Sequence, residues 1–95
     1  SEVTAQLTWE VHPTFRVRGR IFVIVGEDGT YASVKASLED QAALVHADPA
    51  TFGVASHVGR YGWVDVALAR VDRGELVELV VEACRRTAPK RVVAA

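Results

Sequence analysis

Residues 9 to 18 alternate without interruption between apolar and polar side chains: Trp9, Val11, Pro13, Phe15 and Val17 against Glu10, His12, Thr14, Arg16 and Arg18. Successive strand side chains point to opposite faces, so this run predicts a strand with one buried and one solvated side. Gly19 can supply the positive φ of a tight turn behind Arg18. Ile21 to Val25 is apolar on both faces and predicts a central strand. Glu27-Asp28-Gly29-Thr30 contains the Asp-Gly pair suited to a type I′ hairpin turn, and a third strand is expected from Tyr31 to Ala36.

Register follows from these turns. With Asp28-Gly29 as the turn residues, Val23 faces Val34, Phe22 faces Lys35 and Ile24 faces Ser33. A one-residue slip inverts every side chain, so keeping Phe15 and Val17 on the face of Val23 calls for an odd first turn, most simply Arg18 to Arg20. Two outer rows are then expected. One holds Arg16, Phe22 and Lys35; the next holds Thr14, Ile24 and Ser33.

Ser37 to Asp40 has the spacing of a helix N-cap, and predicts a helix from Leu38 to about Ala47, closed by Asp48-Pro49. Val54 to Val58 and Gly62 to Leu68 read as a second hairpin around Gly59-Arg60. Its inward set is Val64, Val66 and Leu68, with Trp63 and Asp65 on the other face. Asp72 and Glu75 repeat the capping pattern before the longest helix, about Arg73 to Thr87, whose apolar stripe is Leu76, Leu79, Val80, Ala83 and Cys84. Pro89 stops that helix, and Val92 to Ala95 reads as a loose tail. The expected fold is α+β: an antiparallel sheet of about five strands, a three-stranded meander plus a hairpin, with two helices on one face.

Ninety-five residues fit one domain, 1–95, with one core. A hydrophobic content of 49% with 24% charged residues is that of an ordinary globular chain and excludes general disorder. A formal net charge of −1 excludes a global field toward nucleic acid or an anionic membrane, so any such partner needs a local patch. The single cysteine, Cys84, excludes an internal disulfide and a cysteine-based zinc site. The longest apolar runs are strand-sized; no signal peptide or membrane span is expected, and the cytoplasm is the expected compartment.

Arg16, Arg18, Arg20 and Lys35, with Phe22 embedded, form the best basic cluster. Arginines contact phosphates and an exposed aromatic stacks on a base. The plainer alternative is a solvated sheet face that resists edge pairing. His57 and Arg60, with Tyr61 and Trp63 adjacent, would form a second basic hairpin tip able to enter a groove. Against it stands a polar turn whose Tyr and Trp pack over the sheet edge. Trp9 shares the parity of Phe15 and Val17, and is expected in the core.

His12, His46 and His57 are scattered over three elements, so no metal site is expected. His12 paired with Asp65 or Glu10 could move protons, yet no nucleophile stands beside them. With no glycine-rich phosphate loop either, neither an enzyme nor a cofactor is expected.

His12-Pro13-Thr14-Phe15-Arg16-Val17-Arg18-Gly19, the strand ending at Lys35, Gly62-Trp63-Val64 and Ala88-Pro89-Lys90 resemble the MmcQ/YjbR-like family of small bacterial proteins. The order meander, helix, hairpin, long helix matches too, and the resemblance spans nearly the whole chain. It implies a compact fold similar in outline to frataxin, with hairpin wings and a double-wing DNA-binding role. It carries no catalytic residues. Members usually have a helix before the segment matching Ser1 to Leu7, which this sequence lacks; a second copy is one way to cover that surface. There is no dense acidic ridge, so iron handling is not implied.

The leading expectation is a non-enzymatic DNA-binding protein using Arg16, Arg18, Arg20, Lys35, His57 and Arg60, with Phe22 and Trp63 as contact aromatics. The alternative is a protein-interaction or self-association module, such as a homodimer, in which Phe22, Ile24 and Trp63 form an apolar patch rimmed by arginines. A third reading is a small-ligand pocket beside His12, Arg16 and Trp63.

Overall fold

A computed structural model describes residues 3–8 and 12–88, the side chains of 4–8 and 12 excepted. In chain order the elements are β1 (Val3–Thr8), β2 (His12–Val17), β3 (Arg20–Val25), β4 (Tyr31–Val34), α1 (Leu38–Ala47), β5 (Phe52–Val54), a single 3-10 turn (Gly59–Tyr61), β6 (Val64–Ala67) and α2 (Arg73–Thr87). The strands form one sheet in the order β1-β2-β3-β4-β6-β5, with every neighbouring pair antiparallel. The chain is thus α+β, an antiparallel sheet with two helices, and β1 adds a strand to the five expected. Trp9 and the tail from Pro89 onward lie outside the described residues.

Two cross-strand rows carry the core. Val23, Val34 and Val64 align in one; Val25, Ala32, Val66 and Phe52 align in the other. Val34, Val64 and Val66 are fully buried. Leu44 and Val45 of α1 and Leu76, Leu79, Val80, Ala83 and Cys84 of α2 close over them from one side. Burying a valine side chain is worth about 1.5–3 kcal/mol, so these central residues anchor the sheet to both helices. Each helix starts where its cap dictates. Ser37 Oγ accepts the Asp40 N–H at 3.0 Å, and Asp72 Oδ2 accepts the Glu75 N–H at 3.1 Å. Such caps contribute about 1 kcal/mol each.

The first turn differs from expectation, and the difference reorganises the outer face. Only Arg18 and Gly19 form it, at φ 53° and 80°, as a two-residue type I′ turn requires. An even turn alone would put Phe15 on the wrong side. A β-bulge restores its partner, not its burial: Phe15 pairs with Val23 while Arg16 pairs with Ile21, leaving Phe22 as the extra residue of β3, yet Phe15 is 37% exposed and not the core residue expected. Phe22 and Val23 are consequently both buried, at 2% and 4% exposure. The expected row of Arg16, Phe22 and Lys35 does not form. The neighbouring row does align, as Thr14, Ile24 and Ser33, and continues through Asp65 to Gly53, but Thr14 and Ser33 are buried in it rather than solvated.

At the second turn Gly26 and Tyr31 close the ladder, with the Gly26 N–H donating to Tyr31 O at 2.8 Å. The loop 27–30 between them is not type I′, since Gly29 alone has positive φ there. It is still even in length, so Val23 faces Val34 and Ile24 faces Ser33 as the sequence indicates. The β5–β6 connection is longer than the expected hairpin. Pairing stops at Val54 and Val64, and residues 55–63 cross through the 3-10 turn, burying Trp63 at 7% exposure.

Candidate nucleic-acid interface

Antiparallel pairing gathers distant loops at one end of the sheet. Val17 pairs with Arg20, and Val64 with both Val34 and Val54, so the β2–β3 turn, the β4–α1 link and the β5–β6 loop share that end. α2 starts at the opposite end and returns here, where Arg86 Nη2 lies 3.3 Å from Asp40 Oδ2. Arg18, Arg20, Lys35, Arg60, Arg85 and Arg86 therefore meet at this end, against Glu39, Asp40 and Glu82. The far end collects Glu27, Asp28, Asp48, Asp72 and Glu75, with Arg70 and Arg73. Two of those carboxyls are held below their ordinary range. The Thr30 backbone N–H and hydroxyl stabilise ionised Asp28, and the Thr51 hydroxyl stabilises ionised Asp48. A chain of net charge −1 is thus polarised along its strands.

The two basic tips are built differently. At the first, Arg16 Nη1 donates to Gly19 O at 2.8 Å, and its Nε is buried with no partner among the described residues. Arg16 braces the turn from within, while Arg18 and Arg20 are exposed beside it. The second tip carries His57 and Arg60, both exposed. The Arg60 guanidinium lies 4.9 Å from the centre of the Tyr61 ring, a cation–π contact that holds it outward. From α1, buried Gln41 Nε2 donates to Gly59 O at 2.8 Å and to Trp63 O at 2.6 Å, pinning both ends of the loop's last turn. Gly62, at φ 101°, lies against the backbone of Ala36 and Ser37.

Arg18 (φ 53°) and His57 (φ 64°) are the positive-φ non-glycine residues among those described, and each sits at one tip. Such geometry disfavours side chains with a Cβ and persists only where the surroundings impose it. The strand ends from which the two tips leave are three strand intervals apart, roughly 14 Å at about 4.8 Å per strand.

Several expected site residues lie elsewhere. Phe22 and Trp63 are buried and present no contact aromatic; Tyr61, 60% exposed, is the aromatic available at this end. Lys35 lines a groove of about 200 Å³ between the helices, with Ala36, Asp40, Leu44, Glu82 and Arg86. Arg16 and Lys35 therefore share no platform, and neither an apolar patch nor a pocket can be centred on Trp63. The His12 side chain is outside the described residues; Asp65 accepts from Ser33 Oγ at 2.5 Å. Gln41 was not singled out by the sequence. Its signal was faint: a polar residue three and four positions before the core residues Leu44 and Val45, on the inward face of α1.

No described helix is long and apolar enough to cross a membrane. No curated protein and no solved structure matches this chain. The order of elements, the paired hairpin loops and a family model described as YjbR, which matches residues 1–85, agree: the chain belongs to the YjbR family.

Proposed function

We propose that this chain is a non-enzymatic DNA-binding protein of the bacterial cytoplasm that grips the duplex backbone with two loops at one end of its sheet. The observation carrying the reading is the pair of strained, cationic tips. Arg18 and Arg20 form one, His57 and Arg60 the other, and the strand ends that carry them are roughly 14 Å apart, close to the ~12 Å width of the DNA major groove. Arg16 and Gln41 position the tips and touch no phosphate. The acidic far end points away from the duplex, which sets the orientation of approach.

Backbone contacts then dominate, and binding is salt-dependent and weakly sequence-selective. With Arg18, Arg20 and Arg60 on phosphates, log K falls against log salt with a slope of about −3. Fluorescence anisotropy of a labelled duplex, read between about 50 and 200 mM salt, tests this. Arg20→Ala and Arg60→Ala each weaken binding and flatten the slope by about 1, while Arg73→Ala at the far end changes neither. Absence of binding at low salt, or an equal loss from Arg73→Ala, removes the proposal.

Self-association is a second reading, favoured by one observation. Val77 and Val81, one turn apart on α2, are 53% and 45% exposed, and no described element covers them. A salt-insensitive dimer in sedimentation equilibrium, abolished by Val81→Lys, would support it.

A further inference from the structure

The face of the sheet turned away from the helices holds a feature that duplex binding does not use. Ser33, Asp65 and Gly53 lie in one cross-strand row, and Tyr31 and Ala67 in the next. The side chains along β5 and β6 are small here, and two cavities open in series. One, of about 220 Å³, lies between Ile24, Tyr31, Ser33 and Asp65 of the sheet and residues 56–58 of the β5–β6 loop, His57 among them. The other, of about 460 Å³, runs on past Gly53 and Ala67 to Arg70. Tyr31 and Asp65 line both.

Asp65 is the unusual member. Aspartate is depleted from strand interiors, and β6 is a central strand. Its carboxylate is half-buried, and its Oδ1 accepts from Ser33 Oγ at 2.5 Å, a residue only 9% exposed. No cation pairs with it among the described residues; Arg70, at the far mouth, has its electrostatic effect on Asp48. An ionised carboxylate accepts only, so the remaining oxygen calls for a donor from outside. Beside it stands an aromatic wall. The Tyr31 ring lies across Gly26, so closely that a Cβ there would overlap it. Tyr31 and Asp65 are diagonal neighbours across β4 and β6, with Cβ atoms about 7 Å apart, and the space above them is open in both cavities.

We infer that this trough is a binding site for a guanidinium group, which pairs with Asp65 and stacks on Tyr31. A planar delocalised cation satisfies both walls at once, through charge-assisted hydrogen bonds on one side and a cation–π contact on the other. An ammonium fills only the first role. The site lies on the sheet face, with Ser56, His57 and Val58 of the β5–β6 loop along one side.

Amide chemical shifts of ¹⁵N-labelled protein, titrated with agmatine and with a blocked alanyl-arginyl-alanine tripeptide, test the assignment. Saturable shifts centred on Tyr31, Ser33, Gly53 and Asp65 are expected from at least one probe, and none from the tripeptide with neutral citrulline in place of arginine. Tighter binding of the tripeptide identifies a polypeptide source; equal or tighter binding of agmatine identifies a small molecule. Asp65→Asn keeps the acceptor for Ser33, removes the charge, and weakens binding at least tenfold. Gly53→Val fills the trough from a position whose Cβ meets nothing within 4 Å, and has the same effect without touching the carboxylate. Equal binding of the citrulline peptide, shifts elsewhere on the protein, or full affinity in Gly53→Val overturns the inference, even if Asp65→Asn fails to fold.

Discussion

Three glycines separate backbone strain from steric exclusion, and one of them decides whether the second tip is held as described. Gly62 combines both demands. Its φ is 101°, and a Cβ there would stand 2.5 Å from Ala36 O and 2.7 Å from Ser37 C, backbone atoms at the start of α1 that cannot rotate away. Forcing a side chain into left-handed backbone costs about 1–2 kcal/mol, and overpacking a buried site costs about 1–3 kcal/mol. Gly62→Ala should therefore lose about 2–5 kcal/mol, a large share of the ~5–15 kcal/mol that stabilises a domain of this size. Gly19, at φ 80° with nothing within 4 Å, carries the strain alone, so Gly19→Ala should lose about 1–2 kcal/mol. Gly53 has open space and no positive φ, and Gly53→Ala should be near neutral. Urea unfolding of the three variants gives the order directly, and melting should fall by roughly 4–8 °C per kcal/mol. If Gly62→Ala stays within about 1 kcal/mol of Gly53→Ala, the loop is not braced against α1 and the fixed spacing of the tips is lost with it.

Gln41→Leu strands the carbonyls of Gly59 and Trp63, and should cost about 2–6 kcal/mol in the same assay, at about 1–3 kcal/mol per buried unsatisfied acceptor; a loss under about 0.5 kcal/mol would mean that water replaces the amide. Arg18→Gly removes the left-handed strain at the first tip, so stability should hold or rise by up to about 1 kcal/mol while duplex affinity falls; unchanged affinity would detach the strained residue from binding. Asp28 and Asp48 have carboxyl groups below their ordinary 3.8, so the stability they contribute is complete above that value and is lost as pH falls through their lower folded values. Asp28→Asn keeps an acceptor for Thr30 but no longer titrates; its melting temperature should drop less steeply than that of the unaltered protein between about pH 4 and pH 2, and identical slopes would refute the assignment.

The helices were legible because their signals are local. Ser37 with Asp40 and Asp72 with Glu75 fix the starts of α1 and α2 within one turn of chain, and both helices begin where the caps place them. The β3–β4 register was legible for a different reason. Any even loop aligns Val23 with Val34, so an incorrect turn type did no harm. The β2–β3 junction shows the limit of the same reasoning. An odd turn and an even turn plus a one-residue bulge give Phe15 the same partner, and parity cannot tell them apart. They differ in what happens to Phe22, which one solution exposes and the other buries. A large aromatic on a strand gains more from burial than the bulge costs in ladder bonds, which is why the sheet takes the second.

For the site, spacing along the chain misled in one respect and informed in another. Arg16, Phe22 and Lys35 share one surface only if strand parity is unbroken, and a single bulge disperses them. Arg18, Arg20, His57 and Arg60 are exposed because loop ends are exposed whatever the register. Their meeting at one end, joined by Arg85 and Arg86 from α2, is a property of topology. β6 inserts between β4 and β5, so the β5–β6 loop opens beside the β4–α1 link, and α2 must then run back toward them. Composition hides this arrangement, since the acidic residues at the far end cancel the cations in the sum. Net charge therefore excludes only a uniform attraction to DNA. A polarised molecule of the same net charge is attracted at one end and repelled at the other, which orients its approach.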